Sequence, residues 1–479
     1  MDAVIRYFKD FSVLKDVKRE YWFLQIINAL DCVAYFAMFN IIILTLSSDF
    51  GFDDNDAGYV FMLFSSTTTI CLFFSGVMTD WFGIKRALFV AVAGLFVMRL
   101  GIISAAHMDE GTVRSALVIG SLFLMAPFMA MLQTTFQAAN KRFTTIKSRG
   151  AGFNLWYLFM NVGAMLGGFV VDIFFLNLGL ERFQIFTLGA VISVICLIIM
   201  AIGIKSDKQA LAEGEVEEEE ETEVSESTGF AKIVAIVKAV ASEPVFWRFT
   251  VLITLLLGVR MVFFYLGLLH PKFWVRVIGP DAAIGSMQAF NPFLVIIGLI
   301  LLIPILNRFN IFKMLIGGAF ITALSVFIIA IPPSGIFEGT NIVTFTYATS
   351  IGFLIVLTIG ELIWSPRLQE YTAAIAPKGQ EGTYLGLSMV PYFLAKTVVA
   401  AISGRMLTRW CPEYPAGEPN VGERIAAGKV AFVDSPYMMF LLLAIFALAG
   451  ATLAWVFRGW FTKGLDLDKS DASAEEASP

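Results

Sequence analysis

The sequence predicts an all-α membrane protein, with twelve transmembrane helices in two six-helix bundles. Three observations predict it. The chain of 479 residues is 58% hydrophobic and 14% aromatic, with 46 Phe, and only 15% charged, whereas soluble domains carry about 25% charged residues. Its apolar residues gather into runs of about 20 residues, the length an α-helix needs to cross the hydrocarbon core. A polar, acidic stretch divides these runs into six and six.

The runs fall at about 22–48, 56–79, 87–106, 115–139, 151–176 and 183–204, and then at about 246–270, 283–306, 312–332, 342–365, 381–408 and 436–459. The break between them holds Glu215, Glu217 to Glu221 and Glu223 among Ser and Thr. Such a like-charge run buries no apolar surface and reads as a disordered linker, with Lys232 and Lys238 on an amphipathic helix just before the seventh run. The expected organisation is a cytoplasmic segment at 1–21, an N-terminal bundle at 22–204, the linker at 205–243, a C-terminal bundle at 244–460 and a disordered polar tail at 461–479. Met1 to Glu20 is charged and amphipathic and has no short apolar core before a cleavage site. No signal peptide is expected, and the first span anchors the chain.

Lysine and arginine set the expected orientation. Arg6, Lys9, Lys15, Lys18 and Arg19 precede the first run. Lys85 and Arg86 follow the second, Lys141, Arg142, Lys147 and Arg149 the fourth, and Arg308 and Lys313 the eighth. The opposite loops are poorer: 49–56 has four aspartates and no cation, and 333–341 has no cation. Both termini and the linker are therefore expected in the cytoplasm, for a multi-pass protein of a bacterial-style inner membrane. The loop at about 409–435 carries Arg409, Arg424 and Lys429, but long loops follow the rule poorly.

Cys32, Cys71, Cys196 and Cys411 show no paired spacing, and the two histidines show no ligand spacing. No disulfide framework, metal site or cofactor is indicated. The sequence has no nucleophile elbow, phosphate loop or metal cluster, so no enzyme is expected, and no nucleic-acid partner.

Charges inside the apolar runs carry the functional reading. Glu361 lies near the end of the tenth run, where an acidic residue costs roughly 2.5 to 3.5 kcal/mol to insert at a helix centre. Asp31, Arg99 and Lys396 lie in similar runs, and Arg260 falls about four turns past Trp247. Together they read as the polar works of a transporter. An arginine in a cavity suits a carboxylate or phosphate. A buried aspartate or lysine changes protonation as its surroundings change. Two alternatives stay open: Arg99 as a structural cation paired with Asp31, and Glu361 as an ion pair with Arg260 or Lys396. Asn161, Gln288 and Asn291 are polar groups in apolar helices, each costly unless paired or wet. For Asn161 and Asn291 the alternative is an interhelical hydrogen bond, worth about 0.6 kcal/mol in membranes. Tyr35, Trp156, Tyr157, Trp364 and Tyr384 supply aromatic walls or simple packing. Gly163-x-x-x-Gly167 offers a small-residue face, and Pro292, Pro366 and Pro391 can kink helices.

The loop Gly76-Val-Met-Thr-Asp80-Trp-Phe-Gly83-Ile-Lys85-Arg86 fits the pattern G-x-x-x-D-x-x-G-x-K/R-K/R between the second and third spans. Gly76 permits close helix approach, Asp80 can bond a neighbouring helix end or cation, and Gly83 supports a tight turn. A weak echo, Asn307-Arg308-Phe-Asn310-Ile-Phe-Lys313, recurs between spans eight and nine. The pattern resembles the major facilitator superfamily, which implies two six-helix halves around a central cavity. A narrower resemblance follows from Arg149-Gly-Ala-Gly152 to Asn161 and Gly167, from Gln288-Ala-Phe-Asn291-Pro292, and from Gly360-Glu361-Leu-Ile-Trp364-Ser365-Pro366 followed by Ala376-Pro377-Lys378 and Gly382-Thr-Tyr384-Leu-Gly386. These blocks resemble the proton-dependent oligopeptide transporter family over about residues 22–405. The resemblance implies that Asn161 binds the substrate backbone, that Glu361 holds the substrate amino group or helps coupling, and that Gln288 to Pro292 lines the same cavity.

The chain departs from that family on the first and fourth helices. Where the family has Glu-x-x-Glu-Arg, this chain has Asn28-Ala-Leu-Asp31-Cys32, followed by Tyr35-Phe36. Where the family has a lysine before Pro-Asn, it has Gln133-Thr134-Thr135. The expectation is a secondary active transporter working by alternating access, with proton symport of a small zwitterionic or anionic solute such as a di- or tripeptide. Export or antiport of another metabolite is the alternative, and a non-transporting receptor the more distant one. Asp31 and Glu361 are expected to carry the proton. Tyr35, Arg99, Gln133, Tyr157, Asn161, Arg260, Gln288, Asn291, Trp364, Ser365 and Lys396 are expected to face the substrate. The partners expected are substrate, protons and lipid, and the chain is expected to be monomeric.

Overall fold

The computed structural model describes residues 14–15, 17–204, 243–301, 309–334, 339–375, 390–415 and 417–463. The acidic run, the tail from 464, Arg308 and the block from Ala376 to Gly386 lie outside them, as does the side chain of Asp80. The first six helices are α1 (Arg19–Ser48), α2 (Asp54–Phe82), α3 (Ile84–Ala106), α4 (Thr112–Arg142), α5 (Ile146–Asp172) and α6 (Gln184–Gly203). The second group comprises α7 (Pro244–Leu255), α8 (Leu257–Leu268), α9 (His270–Ile278), α10 (Ile284–Leu301), α11 (Ile311–Ile329), α12 (Ile342–Ile375), α13 (Val390–Trp410), α14 (Val421–Ala426), α15 (Pro436–Val456) and α16 (Arg458–Phe461). Among the described residues, nine helices are long and apolar enough to cross a membrane, and the bent pair α7–α8 makes a tenth span. α2 and α13 complete the twelve positions read from the sequence.

Local chemistry starts and stops these helices where the sequence punctuates them. The Asp53 side chain accepts from Asp56 N at 2.7 Å, Thr145 and Ser148 form a reciprocal capping box, and Asn310 accepts from Lys313 N. Each satisfies donors that a helix N-terminus leaves unpaired. Gly83, at φ 76°, separates α2 from α3. That left-handed backbone suits glycine and forms the tight turn expected of the loop motif.

Packing sorts the helices into two bundles. α1 packs on α5 and α6, α2 on α4, and α3 on α4 and α6. In the second group α11 packs on α12 and α15, α8 on α13 and α15, and α10 on α12. The Gly163 and Gly167 face lies against α1, next to Ala29, Val33 and Ala37. Two seams join the bundles, α2 with α13 and α5 with α10. Both are lined by glycines at which the backbones meet. A Cβ on Gly404 would overlap the Asp54 and Asn55 backbone, and one on Gly285 would overlap Gly168 O. Close backbone approach of this kind is how small residues pack helices where no hydrophobic drive exists.

One break was not legible in the sequence. The seventh span bends by 44° at Leu256 between α7 and α8, with no proline at the break. The segment expected to be the loop after this span contains instead α9, which carries Lys272 and Arg276.

At the end of the molecule away from the chain termini, charges tie the two bundles together. The Asp54 carboxylate, at the start of α2 and ahead of its apolar run, takes a bidentate pair of hydrogen bonds from Arg276, at 2.8 Å each, and one from Lys272. Lys272 Nζ also donates to Ser47 Oγ at 2.5 Å. Arg276 further donates to Cys411 O at 2.8 Å and to Glu413 at 2.7 Å. At the second seam, Asp172 accepts from the backbone N–H groups of Gly285 and Ser286 at 2.6 Å each. A carboxylate from one bundle thereby caps the N-terminus of a helix in the other.

Candidate functional site

The break at Leu256 sets Arg260 one turn into α8, where its guanidinium lies 4.4 Å from the centre of the Trp364 ring. Trp364 is buried, so this cation–π contact sits in a low-dielectric wall, where such contacts are strongest. One turn earlier on α12, Glu361 is half-buried and takes a hydrogen bond from Asn291 Nδ2 at 3.1 Å. The same amide donates to Thr358 Oγ1 at 2.9 Å, and Thr358 in turn donates to Leu354 O. Asn291 of α10 thus fixes the Glu361 carboxylate from a neighbouring helix. Arg260 acts on that carboxylate electrostatically.

The opposite wall is Tyr157 of α5. It packs against Val295, Leu299 and Leu362, and it lies within electrostatic reach of both Glu361 and Arg260. Asn161, one turn on, is buried and donates to Tyr157 O at 2.9 Å. Ser365 is half-buried. The structure therefore brings together Tyr157, Arg260, Asn291, Glu361 and Trp364, and spans both bundles in doing so.

A second group lies along α1. Tyr35 stacks on Phe39 at 5.8 Å, and Phe39 meets Phe61 edge-on. The half-buried Lys396 Nζ of α13 stands 5.7 Å from the Phe39 ring and 5.5 Å from the Phe61 ring. Next to it, Thr397 shares a hydrogen bond with Ser66 of α2 at 3.1 Å.

Two residues make protein contacts instead of standing free. Gln288 is buried and donates to Leu266 O at 2.7 Å. Leu266 belongs to the last turn of α8, whose carbonyls have no partner within the helix, and Gln288 satisfies one of them. Arg99 takes the alternative left open for it. It is 2% exposed, donates to Gly189 O at 2.8 Å and Ser193 Oγ at 2.5 Å, and faces Asp31 at 3.9 Å. It is committed inside the N-terminal bundle. The Asp31 side chain keeps 18% of its surface accessible, with the Arg99 guanidinium beside it. Replacing Arg99 by Met leaves Asp31 without its cation, a loss that costs about 3–5 kcal/mol for a buried pair. The detergent-solubilised variant is expected to melt well below wild type, with Arg99→Lys between them. Equal melting of all three would show that Asp31 needs no counter-charge.

Gln133 is exposed on α4, whose neighbours Thr134 and Thr135 bond Ser75 and Thr79 of α2. Lys85 is half-buried and Arg86 exposed at the start of α3. Sequence reasoning missed Asp54, Lys272, Arg276, Glu413 and Asp172. The four aspartates at 49–56 were a signal, read only for orientation, and the basic pair four residues apart in His270-Pro-Lys272-Phe-Trp-Val-Arg276 was its complement.

Comparison with known proteins agrees with this fold. The family model described as Major Facilitator Superfamily matches residues 22–400. A crystal structure of the peptide transporter POT in complex with sulfate is similar at 17% identity and a TM-score of 0.67, covering 93% of this chain and 96% of that one. The POT family transporter PepTSo, solved in meso, is similar at 15% identity and a TM-score of 0.67, covering 93% and 99%. A POT family transporter in complex with 5-aminolevulinic acid is similar at 14% identity and 0.65, covering 93% and 97%. No curated protein matches the sequence.

Proposed function

The chain belongs to the major facilitator superfamily, and from that premise we propose that it is a proton-coupled symporter of a small zwitterionic or anionic solute, di- or tripeptides first among them. It is a multi-pass membrane protein with the fold of the peptide transporters. The observation that carries the reading is the carboxylate of Glu361, held by Asn291 and faced by Arg260 and Tyr157 where the two bundles meet. A paired acid and base on the C-terminal bundle, faced by Tyr157 and Asn161 of the N-terminal one, suit the amino and carboxyl ends of one small solute. Asp31, partly accessible beside Arg99, is the second proton carrier.

Alternating access requires two states, and the Asp54 pairs with Lys272 and Arg276 would hold one end shut in one of them. We place that end outside and both termini in the cytoplasm of an inner membrane, in line with the loop charges, and take the working unit as a monomer. The test is uptake of a dipeptide library into proteoliposomes with and without an inward proton gradient. Gradient-dependent accumulation is the expected result. Folded, monodisperse protein that accumulates no peptide would overturn the peptide assignment and turn the search to other small anions and to export.

A further inference from the structure

We infer that Lys396 is a specificity-determining residue that makes the cavity select solutes with net negative charge. The inference rests on the transporter reading above and narrows its substrate class. Of the formal charges on described side chains of the spanning helices, five belong to the two groups described above or to the Arg99 pair: Asp31, Arg99, Arg260, Glu361 and Lys396. Arg99 is matched by Asp31 across 3.9 Å. Arg260 and Glu361 act on each other near Asn291. Lys396 is the cation left over. Among the described residues no carboxylate comes within 4.0 Å of its ammonium, and no other charged group acts on it.

What the ammonium does meet is the rings of Phe39 and Phe61, at 5.7 and 5.5 Å. Ring quadrupoles stabilise a cation without neutralising it. No carboxylate among the described residues compensates the charge, and in surroundings of low dielectric an anion is drawn more strongly than in water. Lys396 is half-buried, and the Phe39 ring stacks on Tyr35, itself half-buried on α1. Because Lys396 sits on α13 and the two rings sit on α1 and α2, an anion bound here contacts both bundles. Its binding energy is thus tied to their relative position. A cationic solute would meet an uncompensated like charge, and like-charge juxtaposition is how sites reject wrong ligands.

The experiment uses the purified full chain. Thermal stabilisation is measured with Ala-Glu, Ala-Ala, Ala-Lys and succinate as probes, in wild type, Lys396→Gln and Lys396→Arg. Wild type is expected to be stabilised in the order Ala-Glu, Ala-Ala, Ala-Lys, with at least a tenfold difference in apparent affinity between the first and last. Lys396→Gln levels the order and Lys396→Arg keeps it. Arginine retention guards against a merely misfolded Gln variant, as do the ligand-free melting temperatures. Stabilisation by succinate that depends on Lys396, with no response to any dipeptide, would support the inference while overturning the peptide reading. Equal stabilisation by Ala-Glu and Ala-Lys in wild type, or an order unchanged in Lys396→Gln, overturns the inference and leaves the peptide reading standing. No stabilisation of wild type by any probe overturns both.

Discussion

Glu361→Gln is expected to abolish accumulation driven by a proton gradient while leaving exchange of substrate at equal pH measurable. The substitution keeps the shape of the side chain, and a glutamine oxygen still accepts from Asn291 Nδ2, which lies 3.1 Å from Glu361 Oε2. It removes the charge and the titrating proton. A hydrogen bond to a charged group contributes about 1.5–3 kcal/mol, so loss of a contact to a substrate amino group weakens binding by about 10- to 100-fold. Counterflow in proteoliposomes at one pH reads the binding part, and uptake under an inward gradient reads the coupling part. Asp31→Asn is the companion. If Glu361→Gln accumulated substrate under the gradient as wild type does, the coupling role of Glu361 would be wrong. If only counterflow failed, the residue binds without coupling.

Asp54→Asn is expected to open the end away from the termini. It strands Lys272 and Arg276, both buried, without the carboxylate that Arg276 holds at 2.8 Å through two bonds. Breaking a buried pair by removing one partner costs about 3–5 kcal/mol, here charged to the closed state alone. That is enough to invert a two-state population of ordinary bias. Cys411 is a native reporter: its thiol is buried, and its backbone oxygen accepts from Arg276. Labelling of Cys411 by an impermeant maleimide, read by mass spectrometry, should be slow in wild type and faster by at least about tenfold in Asp54→Asn. Unchanged labelling would mean that the glycine seams alone keep this end shut.

The same lock has a defined pH dependence. Burial works to raise the Asp54 carboxyl, but the Arg276 hydrogen bond and the Lys272 and Arg276 charges outweigh it and hold the group below the usual carboxylate range. A depressed value in the closed state means that the stabilisation is complete above the ordinary carboxylate value, near 3.9. It is lost only as pH falls through the still lower value of the paired group. Labelling of Cys411, taken as a ratio to the Asp54→Asn protein at each pH to remove the titration of the thiol itself, should therefore be flat between about pH 5.5 and 8. A steep rise towards pH 5.5 would assign Asp54 a proton-sensing role that its pairing argues against.

Much of the candidate site was legible because a membrane makes polarity expensive. Glu361, Asn291, Arg260 and Lys396 stand out against apolar neighbours with no structure at all, and the structure gathers the first three around one another. Gln288 stood out for the same reason and proved to satisfy a carbonyl of α8. Sequence polarity marks a group that needs a partner, but it does not say whether that partner is a solute or a helix end. Arg99 shows the same ambiguity, settled by Gly189 O and Ser193. Asp54, Lys272, Arg276 and Glu413 were invisible as a unit because they lie at helix ends, where charge is cheap and unremarkable in sequence.

By itself the sequence determined the membrane class, the run of spanning segments with its acidic break, and the glycine turn at Gly83. These follow from transfer free energy and backbone sterics, which act locally along the chain. Only the tertiary structure decided the 44° bend at Leu256, the seams α2–α13 and α5–α10, and the pairing of Asp54 with Lys272 and Arg276. Each depends on which backbones approach closely enough to exclude lipid and water. That is settled by packing between residues more than a hundred positions apart, such as Asp172 with Gly285, and leaves no periodic mark in the sequence.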